Sequence, residues 1–161
     1  MKGNQKVIDG LNSLLTKELT SIDLYFLQSR MYDDWGLTKL FERISHERDD
    51  EMLHADLLIN RILFLGGAPD IATRDGFKVE PNVKSMLQQS LDYEMENLKL
   101  LKKLIVVMEE EQDYVSRSIL VKLLTDTEED HIDWLETQLG LLDKVGEQNY
   151  LQAQMGEKKA P

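Results

Sequence analysis

Apolar residues recur at intervals of three and four over four long segments of the chain, and this period strongly restricts the possible folds. The segments run over about residues 4–34, 38–65, 82–110 and 113–145. Such a repeat places apolar side chains on one face of an α-helix, whereas a half-buried strand needs alternation of apolar and polar residues. The pattern therefore predicts an all-α fold with four long helices, followed by a short fifth helix over about residues 149–155.

One connection between these helices is much longer than the others. Residues 66–81 hold three of the nine glycines and two of the three prolines, and they show no helical period. Sixteen extended residues reach roughly 50 Å, which is more than the length of a helix of about 28 residues. The short links make helices one and two antiparallel, and likewise helices three and four. The long link therefore predicts that helices two and three are parallel, in a four-helix bundle with one crossover.

The composition excludes several classes of protein. The 161 residues suit one domain, expected over 1–161, and the absence of cysteine excludes disulfides and thiolate metal sites. A net charge of −11 without a basic stripe argues against binding to nucleic acid. No apolar run approaches the roughly 20 residues that a membrane span needs, and the first residues lack a signal-peptide pattern. We therefore expect a cytoplasmic protein that is not bound to membranes.

Two of the three histidines stand three residues after a glutamate, in the pairs Glu51–His54 and Glu128–His131. Positions three apart share one face of an α-helix, so each pair can direct a carboxylate and an imidazole at one point. Glu18 precedes the first pair by 33 residues and Glu94 precedes the second by 34, each within an apolar stretch. Two helical hairpins with the same arrangement would face each other across a pseudo-two-fold axis.

Four carboxylates in the core of a bundle cannot remain charged without compensation. Two divalent cations would neutralise them, and carboxylate and imidazole ligands suit iron or manganese. The pattern matches the general ligand set of di-iron carboxylate bundles. We therefore predict a site for two iron ions per subunit, with six ligands: Glu18, Glu51, His54, Glu94, Glu128 and His131.

Beyond these six positions, the chain resembles the bacterioferritins over nearly its whole length. The resemblance lies in MKGNQKVI, YFLQSRMYDDWGL, DEMLHAD, RILFLGGAP, QDYVSR, EEDHIDWLETQLGL and NYLQAQM. It implies a ferritin-like bundle that stores iron. A ferroxidase centre would oxidise Fe(II) with dioxygen or hydrogen peroxide, and the Fe(III) would be kept as a mineral inside a hollow homo-oligomeric shell. The shell would have twenty-four subunits built from two-fold dimers.

The resemblance also implies a role for each ligand. Glu51 and Glu128 would bridge the two irons, and the other four ligands would hold one iron per pair, as Glu18 with His54 and Glu94 with His131. Tyr25 corresponds to a tyrosine beside this centre that is a candidate electron donor. The alternative for Tyr25 is a core tyrosine with a hydrogen-bonded hydroxyl.

Three more residues of the second helix point in other directions. At about 100° per residue, Met52 lies about 160° around the helix from His54. The resemblance implies that Met52 and its mate in a second subunit are the axial ligands of a haem b shared between the two subunits; the alternative is a packing methionine. His46 and Asp50 share a face, and the resemblance implies an iron site on the inner wall of the shell. The alternative is a solvated His–Asp pair.

The chain departs from the bacterioferritins at one place. The last Glu-x-x-His pair comes one residue later after the third glutamate, and the extra residue lies between Arg117 and Glu128. A helix can absorb one residue as a π-bulge, so we expect one within residues 118–127.

Three alternative functions remain open. The chain can be a helical scaffold whose Glu-x-x-His pairs are incidental, a haem-carrying shell subunit without ferroxidase activity, or another ferritin-like di-iron oxidase or peroxidase. A rubrerythrin-like peroxidase is disfavoured, because its rubredoxin domain needs cysteines that are absent here. The resemblance also implies a ferredoxin as the partner that reduces stored iron through the haem.

Overall fold

The computed structural model describes residues 1–157, and within this range the chain is helical with no strand. Residues 158–161, the end of the expected domain, lie outside the described residues. The elements are α1 Gln5–Asp34, α2 Thr38–Phe64, α3 Val83–Glu110, α4 Tyr114–Thr125, a π-helix Asp126–Ile132, α5 Asp133–Val145 and α6 Glu147–Gln154. The predicted all-α class is confirmed. The fourth predicted helix corresponds to α4, the π-helix and α5 together, and the fifth to α6.

Local sequence signals explain where the long helices begin and end. Asn4, Asn82 and Asp113 precede α1, α3 and α4, and each side chain accepts a hydrogen bond from a backbone N–H of the first turn. α1 and α2 end next to Gly36 and Gly66, which have φ angles of 75° and 78°. This left-handed conformation suits glycine, which has no Cβ, and it turns the chain sharply out of each helix.

Contacts at the two ends of α1 establish the directions of its neighbours. The chain just before α1 meets the end of α2, where the Gly3 N–H donates to the Leu65 carbonyl at 2.7 Å. Towards its other end, the Gln28 amide of α1 donates to the Met86 carbonyl near the start of α3, at 3.3 Å. α1 is therefore antiparallel to both helices, and α2 and α3 are parallel. The predicted crossover is confirmed.

The crossover, residues 66–81, follows α1. The Asn12 side chain donates to the carbonyl of Ala68 and accepts from the N–H of Asp70, and the Thr20 hydroxyl accepts from the N–H of Asp75. These bonds satisfy backbone groups of a segment that has no internal ladder. Within residues 1–157, none of the helices combines the length and the apolar character that a bilayer span requires.

Two apolar clusters fill the two ends of the bundle. One includes Leu11, Leu58, Leu104 and Leu123, and the other includes Tyr32, Leu40, Leu87 and Leu135. On each long helix the segment between the clusters carries buried polar residues instead. The bundle therefore has a polar band at mid-height, held between two dry, close-packed layers.

Candidate metal centre

The polar band collects five of the six predicted ligands from four different helical segments. α1, α2 and α3 each supply a glutamate, α2 adds a histidine, and the π-helix supplies the second histidine. Each residue is at most 2% exposed: Glu18, Glu51, His54, Glu94 and His131. So many ionisable groups are buried together only where they neutralise one another or hold cations.

The five side chains form two groups that share Glu51. In the first group, His54 Nδ1 lies 3.4 Å from Glu18 Oε2 and 3.4 Å from Glu51 Oε2. In the second, His131 Nδ1 lies 2.9 Å from Glu51 Oε1 and 3.4 Å from Glu94 Oε1. Within each group, the ligand atoms lie within 4.8 Å of one another. Each group therefore offers two carboxylates and one imidazole to a single cation.

The two histidine rings lie on either side of the shared carboxylate. Their centroids are 6.1 Å apart and their planes differ by 24°. Both Nδ1 atoms face the glutamates, so the two groups point towards a common space. Two cations held by such groups would be bridged by Glu51, which is the arrangement of two-metal sites with ions about 3.5–4 Å apart.

Protons balance the charge of the site. Burial alone would lower the pKa of His54, but its contacts with Glu18 and Glu51 raise it to about 11. Burial and the Glu51 charge raise the pKa of Glu18 to about 8, whereas hydrogen bonds from Glu18 and the histidines outweigh burial and lower the pKa of Glu51. The pKa of His131 is also raised, because its contacts with Asp50, Glu47, Glu51 and Glu94 outweigh burial. Cations entering here would replace protons on Nδ1.

The structure does not bring Glu128 to this cluster. Its side chain is 43% exposed, and Lys102 Nζ lies 3.2 Å from its carboxylate. Residues three apart are about 60° apart on an α-helix, but about 120° apart on a π-helix with its roughly 4.4 residues per turn. Within the π-helix Asp126–Ile132, Glu128 and His131 therefore face different directions. Thr127, which is 1% exposed, takes the buried position instead.

The predicted π-bulge is present, but most of it lies beyond the predicted window of residues 118–127. The π-helix starts at Asp126 and overlaps that window only at Asp126 and Thr127. Leu120 and Leu123 are fully buried, so α4 keeps regular winding along its apolar stripe. The extra residue is absorbed only where the apolar stripe gives way to the polar band. Packing of α4 therefore explains the later position.

Three more side chains support the ligands, and sequence reasoning did not identify them. His54 Nε2 lies 2.9 Å from Asp126 Oδ2, and His131 Nε2 lies 2.6 Å from Glu47 Oε2. The Asn97 amide donates to Glu18 Oε1 at 3.2 Å. Glu47 lies four residues before Glu51 on the same face of α2, a signal that was available. Asp126 gave no such signal, because its direction depends on the π-helix.

Arg43 compensates part of the outer negative charge. Its guanidinium lies 2.5 Å from Glu47 Oε1 and 2.7 Å from Asp130 Oδ1. Burial alone would lower its pKa, but these carboxylates raise it. Glu47, Asp50, Asp130 and His131 would also satisfy the geometry of a cation site, but Arg43 already supplies a positive charge there.

Tyr25 lies in the same polar band. Its side chain is 2% exposed, and its hydroxyl donates a short hydrogen bond to Glu94 Oε1. Burial, together with the negative charges of Glu94 and Glu51, raises the pKa of the phenol well above its ordinary value of 10.0. Tyr25 is therefore a neutral phenol hydrogen-bonded to one carboxylate of the second group.

His46 and Asp50 lie at the edge of the band. His46 Nε2 is 3.4 Å from Asp50 Oδ2, and their side chains are 61% and 25% exposed. Asp50 Oδ2 also lies 3.9 Å from His131 Nε2. Asp50 therefore connects an exposed imidazole to a histidine of the buried cluster.

Met52 lies on the opposite side of α2. Its side chain is 54% exposed, and its neighbour Leu53 is 65% exposed. An exposed thioether on an apolar surface fits half of a bis-methionine haem site, because a thioether is an axial haem ligand and a second subunit would supply the other. The donor chemistry at Met52 is therefore compatible with haem.

Comparison with known proteins agrees with this geometry. The chain matches the family described as Ferritin-like domain over residues 8–145. A bacterial ferritin from Synechocystis sp. is 56% identical over 155 residues, which cover 96% of this chain and 99% of that protein. A bacterial ferritin from Neisseria meningitidis is 50% identical over 155 residues, covering 96% and 100%. A bacterioferritin from Brucella melitensis is 43% identical over 150 residues, covering 93% and 92%.

Proposed function

Because this chain belongs to the bacterioferritins and has a ferritin-like domain over residues 8–145, we propose that it stores iron and is a ferroxidase. The observation that carries the proposal is the pair of buried ligand groups that share Glu51. Each group presents two carboxylates and one imidazole, which suit Fe(II). Iron is the substrate: it enters as Fe(II) and leaves as Fe(III) for storage as a mineral.

The oxidation needs both ions. Each Fe(II) loses one electron, and one dioxygen molecule takes up both electrons and two protons to give hydrogen peroxide. Hydrogen peroxide as oxidant takes up two electrons and two protons to give two water molecules. The shared carboxylate Glu51 holds the two ions close enough for one oxidant to accept both electrons. Metal binding displaces protons from the imidazoles, so the loaded centre has less positive charge than it would have if those protons stayed.

We assign the ligand roles as follows. Glu18 with His54 holds one iron, Glu94 with His131 holds the other, and Glu51 bridges them, in agreement with the distances in the two groups. The expected role of Glu128 as a second bridge remains a prediction. Its carboxylate would first have to leave Lys102 and turn into the bundle.

Two further roles belong to the proposal. Tyr25 is the candidate electron donor, since its hydroxyl is hydrogen-bonded to Glu94 and it can give up a proton together with an electron. His46 and Asp50 are candidate ligands for iron on the inner wall, and Asp50 lies between His46 and His131.

We also propose a cytoplasmic homo-oligomeric shell of twenty-four subunits, assembled from two-fold dimers, with a ferredoxin as reductant. Several large apolar side chains on α1 and α2 are exposed in the single subunit, namely Phe26, Met52, Leu53, Leu63 and Phe64. Exposed apolar surface of this kind is typical of subunit contacts. Sedimentation of the purified protein tests this assembly, and a monomer at micromolar concentration would contradict it.

Met52 would bind haem b together with its mate in the second subunit. The haem would supply a one-electron redox group between subunits. Met52→Leu keeps the volume and removes the sulfur lone pairs, so the variant is expected to purify as a shell without the haem absorption band. Full haem content in Met52→Leu would instead make Met52 a packing residue.

Oxygen uptake on addition of Fe(II) tests the ferroxidase proposal. The protein as purified should consume oxygen rapidly, and His54→Ala or His131→Ala should abolish the fast phase while the shell still assembles. Each variant removes one imidazole without breaking its helix. A wild-type protein that consumes no oxygen would favour the alternatives, a shell subunit without ferroxidase activity or a helical scaffold. Native rates in one histidine variant would exclude that histidine as a ligand.

A further inference from the structure

The two buried histidines have a second polar contact that the ferroxidase proposal does not use. Each ring directs Nδ1 at the glutamates of the centre and Nε2 at a carboxylate outside it. His54 Nε2 donates to Asp126 Oδ2 at 2.9 Å, and His131 Nε2 lies 2.6 Å from Glu47 Oε2. The outer carboxylates come from different elements, the π-helix and α2, and of these two contacts only the one between His54 and Asp126 has hydrogen-bond geometry.

A carboxylate at Nε2 restricts what the ring can do. It accepts only from a protonated nitrogen, so it keeps the proton on Nε2 and leaves Nδ1 as the nitrogen that can bind a cation. It also fixes the rotation of the ring. Outer partners of this kind commonly change metal affinity by about 10–100-fold.

We propose that Asp126 is a positioning residue for His54, which it holds in the tautomer and orientation that present Nδ1 to the metal centre. The inference rests on the proposed function, because the ring needs this orientation only if Nδ1 binds iron. Asp126 is the first residue of the π-helix, and the residue beside it, Thr127, is buried. The same local winding that turns Glu128 outward therefore brings a shorter carboxylate to the opposite nitrogen of His54.

Asp126 Oδ2 faces two nitrogen donors, His54 Nε2 and Lys122 Nζ, and a carboxylate can accept from both. Lys122 Nζ lies 3.2 Å from Asp126 Oδ2, one helical turn earlier. The side chain is 37% exposed, so it can be replaced without leaving a cavity in the apolar clusters.

Titration with Co(II), followed by its visible absorption, tests the role of Asp126 without using the oxidation reaction. The wild-type shell is expected to bind two Co(II) ions per subunit at the centre. Asp126→Asn should weaken one of the two by about tenfold and leave the other unchanged, because only His54 loses its anionic partner. Asp126→Glu restores a carboxylate and should recover most of the affinity.

Two control variants separate this role from charge and from the ion pair. Glu129→Gln removes the same charge from an exposed position of the π-helix, and Lys122→Gln removes the ion pair but leaves the bond to His54. Both should bind Co(II) as the wild type does. The melting temperature of the metal-free shell should change no more in Asp126→Asn than in Lys122→Gln, because the asparagine amide oxygen can still accept from His54.

The outcomes distinguish the inference from the function on which it rests. If Asp126→Asn binds both Co(II) ions as tightly as the wild type does, the role of Asp126 is overturned and the ferroxidase proposal is left intact. An equal loss at both sites together with a lower melting temperature would also overturn it, since that indicates a structural role. A wild-type shell that binds no Co(II) at the centre would overturn both.

Discussion

The two Glu-x-x-His pairs of this chain have the same spacing but different structures. Glu51 and His54 lie on the regular α-helix α2, and both side chains are buried in the polar band. Glu128 and His131 lie on the π-helix, where His131 is buried and Glu128 faces Lys102 at the surface. The motif by itself therefore does not place two ligands at one site; the winding of the helix does.

The difference also changes how the centre is bridged. Glu51 contacts both histidines and belongs to both ligand groups, so one carboxylate connects the two halves. On the other side of the centre the π-helix offers the hydroxyl of Thr127 at the buried position and the carboxylate of Asp126 at the outer nitrogen of His54. The site therefore has an approximately symmetric set of histidines but an asymmetric set of carboxylates.

The largest expected effect is on the rate of Fe(II) oxidation, when the first glutamate of each pair is replaced in turn. Glu51→Gln should lower the initial rate of Fe(II) oxidation by more than about 100-fold, because it removes a ligand shared by both groups, and outer partners alone cost 10–100-fold. Glu128→Gln should lower the rate by less than about threefold if the carboxylate stays with Lys102 during turnover. Stopped-flow absorbance of the ferric product measures both. Equal losses would show that Glu128 turns inward when iron binds, and would restore its predicted bridging role.

Removal of one residue should make the two pairs alike. Deleting Thr127 shortens the π-helix by one residue and should return it to α winding, so that the glutamate and the histidine share one face. We expect this variant to bind the Co(II) at His131 roughly tenfold more tightly, on the scale that a carboxylate partner changes metal affinity. The Co(II) at His54 should bind more weakly, because α winding takes Asp126 away from His54. Thr127→Val, which keeps the chain length, is the matched control. A deletion variant that keeps the π-helix in its crystal structure would refute this account of the winding.

The smallest expected effect concerns α4, the regular α-helix that precedes the π-helix. Asp113 accepts bonds from the backbone N–H and the hydroxyl of Ser116 and pairs with Arg61 at 2.8 Å, at the start of α4. Asp113→Ala should lower the free energy of unfolding by about 1 kcal/mol, as expected for a lost N-cap. Co(II) binding should not change, because α4 supplies no ligand. Thermal melts of the metal-free shell measure the difference.

The pH dependence of that difference follows from the carboxyl of Asp113. Burial alone would raise its pKa, but the bonds from Ser116 and the pairing with Arg61 outweigh burial and lower it below the ordinary 3.8. A lowered pKa gives stability that is present above 3.8 and is lost as pH falls through the value in the folded state. The gap between wild type and Asp113→Ala should therefore be constant near neutral pH and shrink in acid. A gap that grows in acid would contradict this assignment.

The sequence alone was sufficient for the fold and for most of the candidate centre. Apolar periodicity predicted the long helices. The 16-residue connection from 66 to 81 predicted the crossover, because a connection of that length is expected to join opposite ends of a bundle. Glu51 and His54 were found together because an α-helix converts a three-residue spacing into a shared face. These inferences depend only on local geometry and chain length.

The tertiary structure determined where the helix changes from α to π winding and which side chains of that segment face the centre. The spacing in the sequence shows that one residue is extra, but packing of Leu120 and Leu123 determines that the π-helix starts at Asp126. The direction of every ligand on that segment follows from this start. A shift of the π-helix by a few residues would exchange Glu128 and Thr127 at the buried face. The partners of the last ligand pair therefore depend on how α4 packs against the rest of the bundle, which residue spacing alone does not encode.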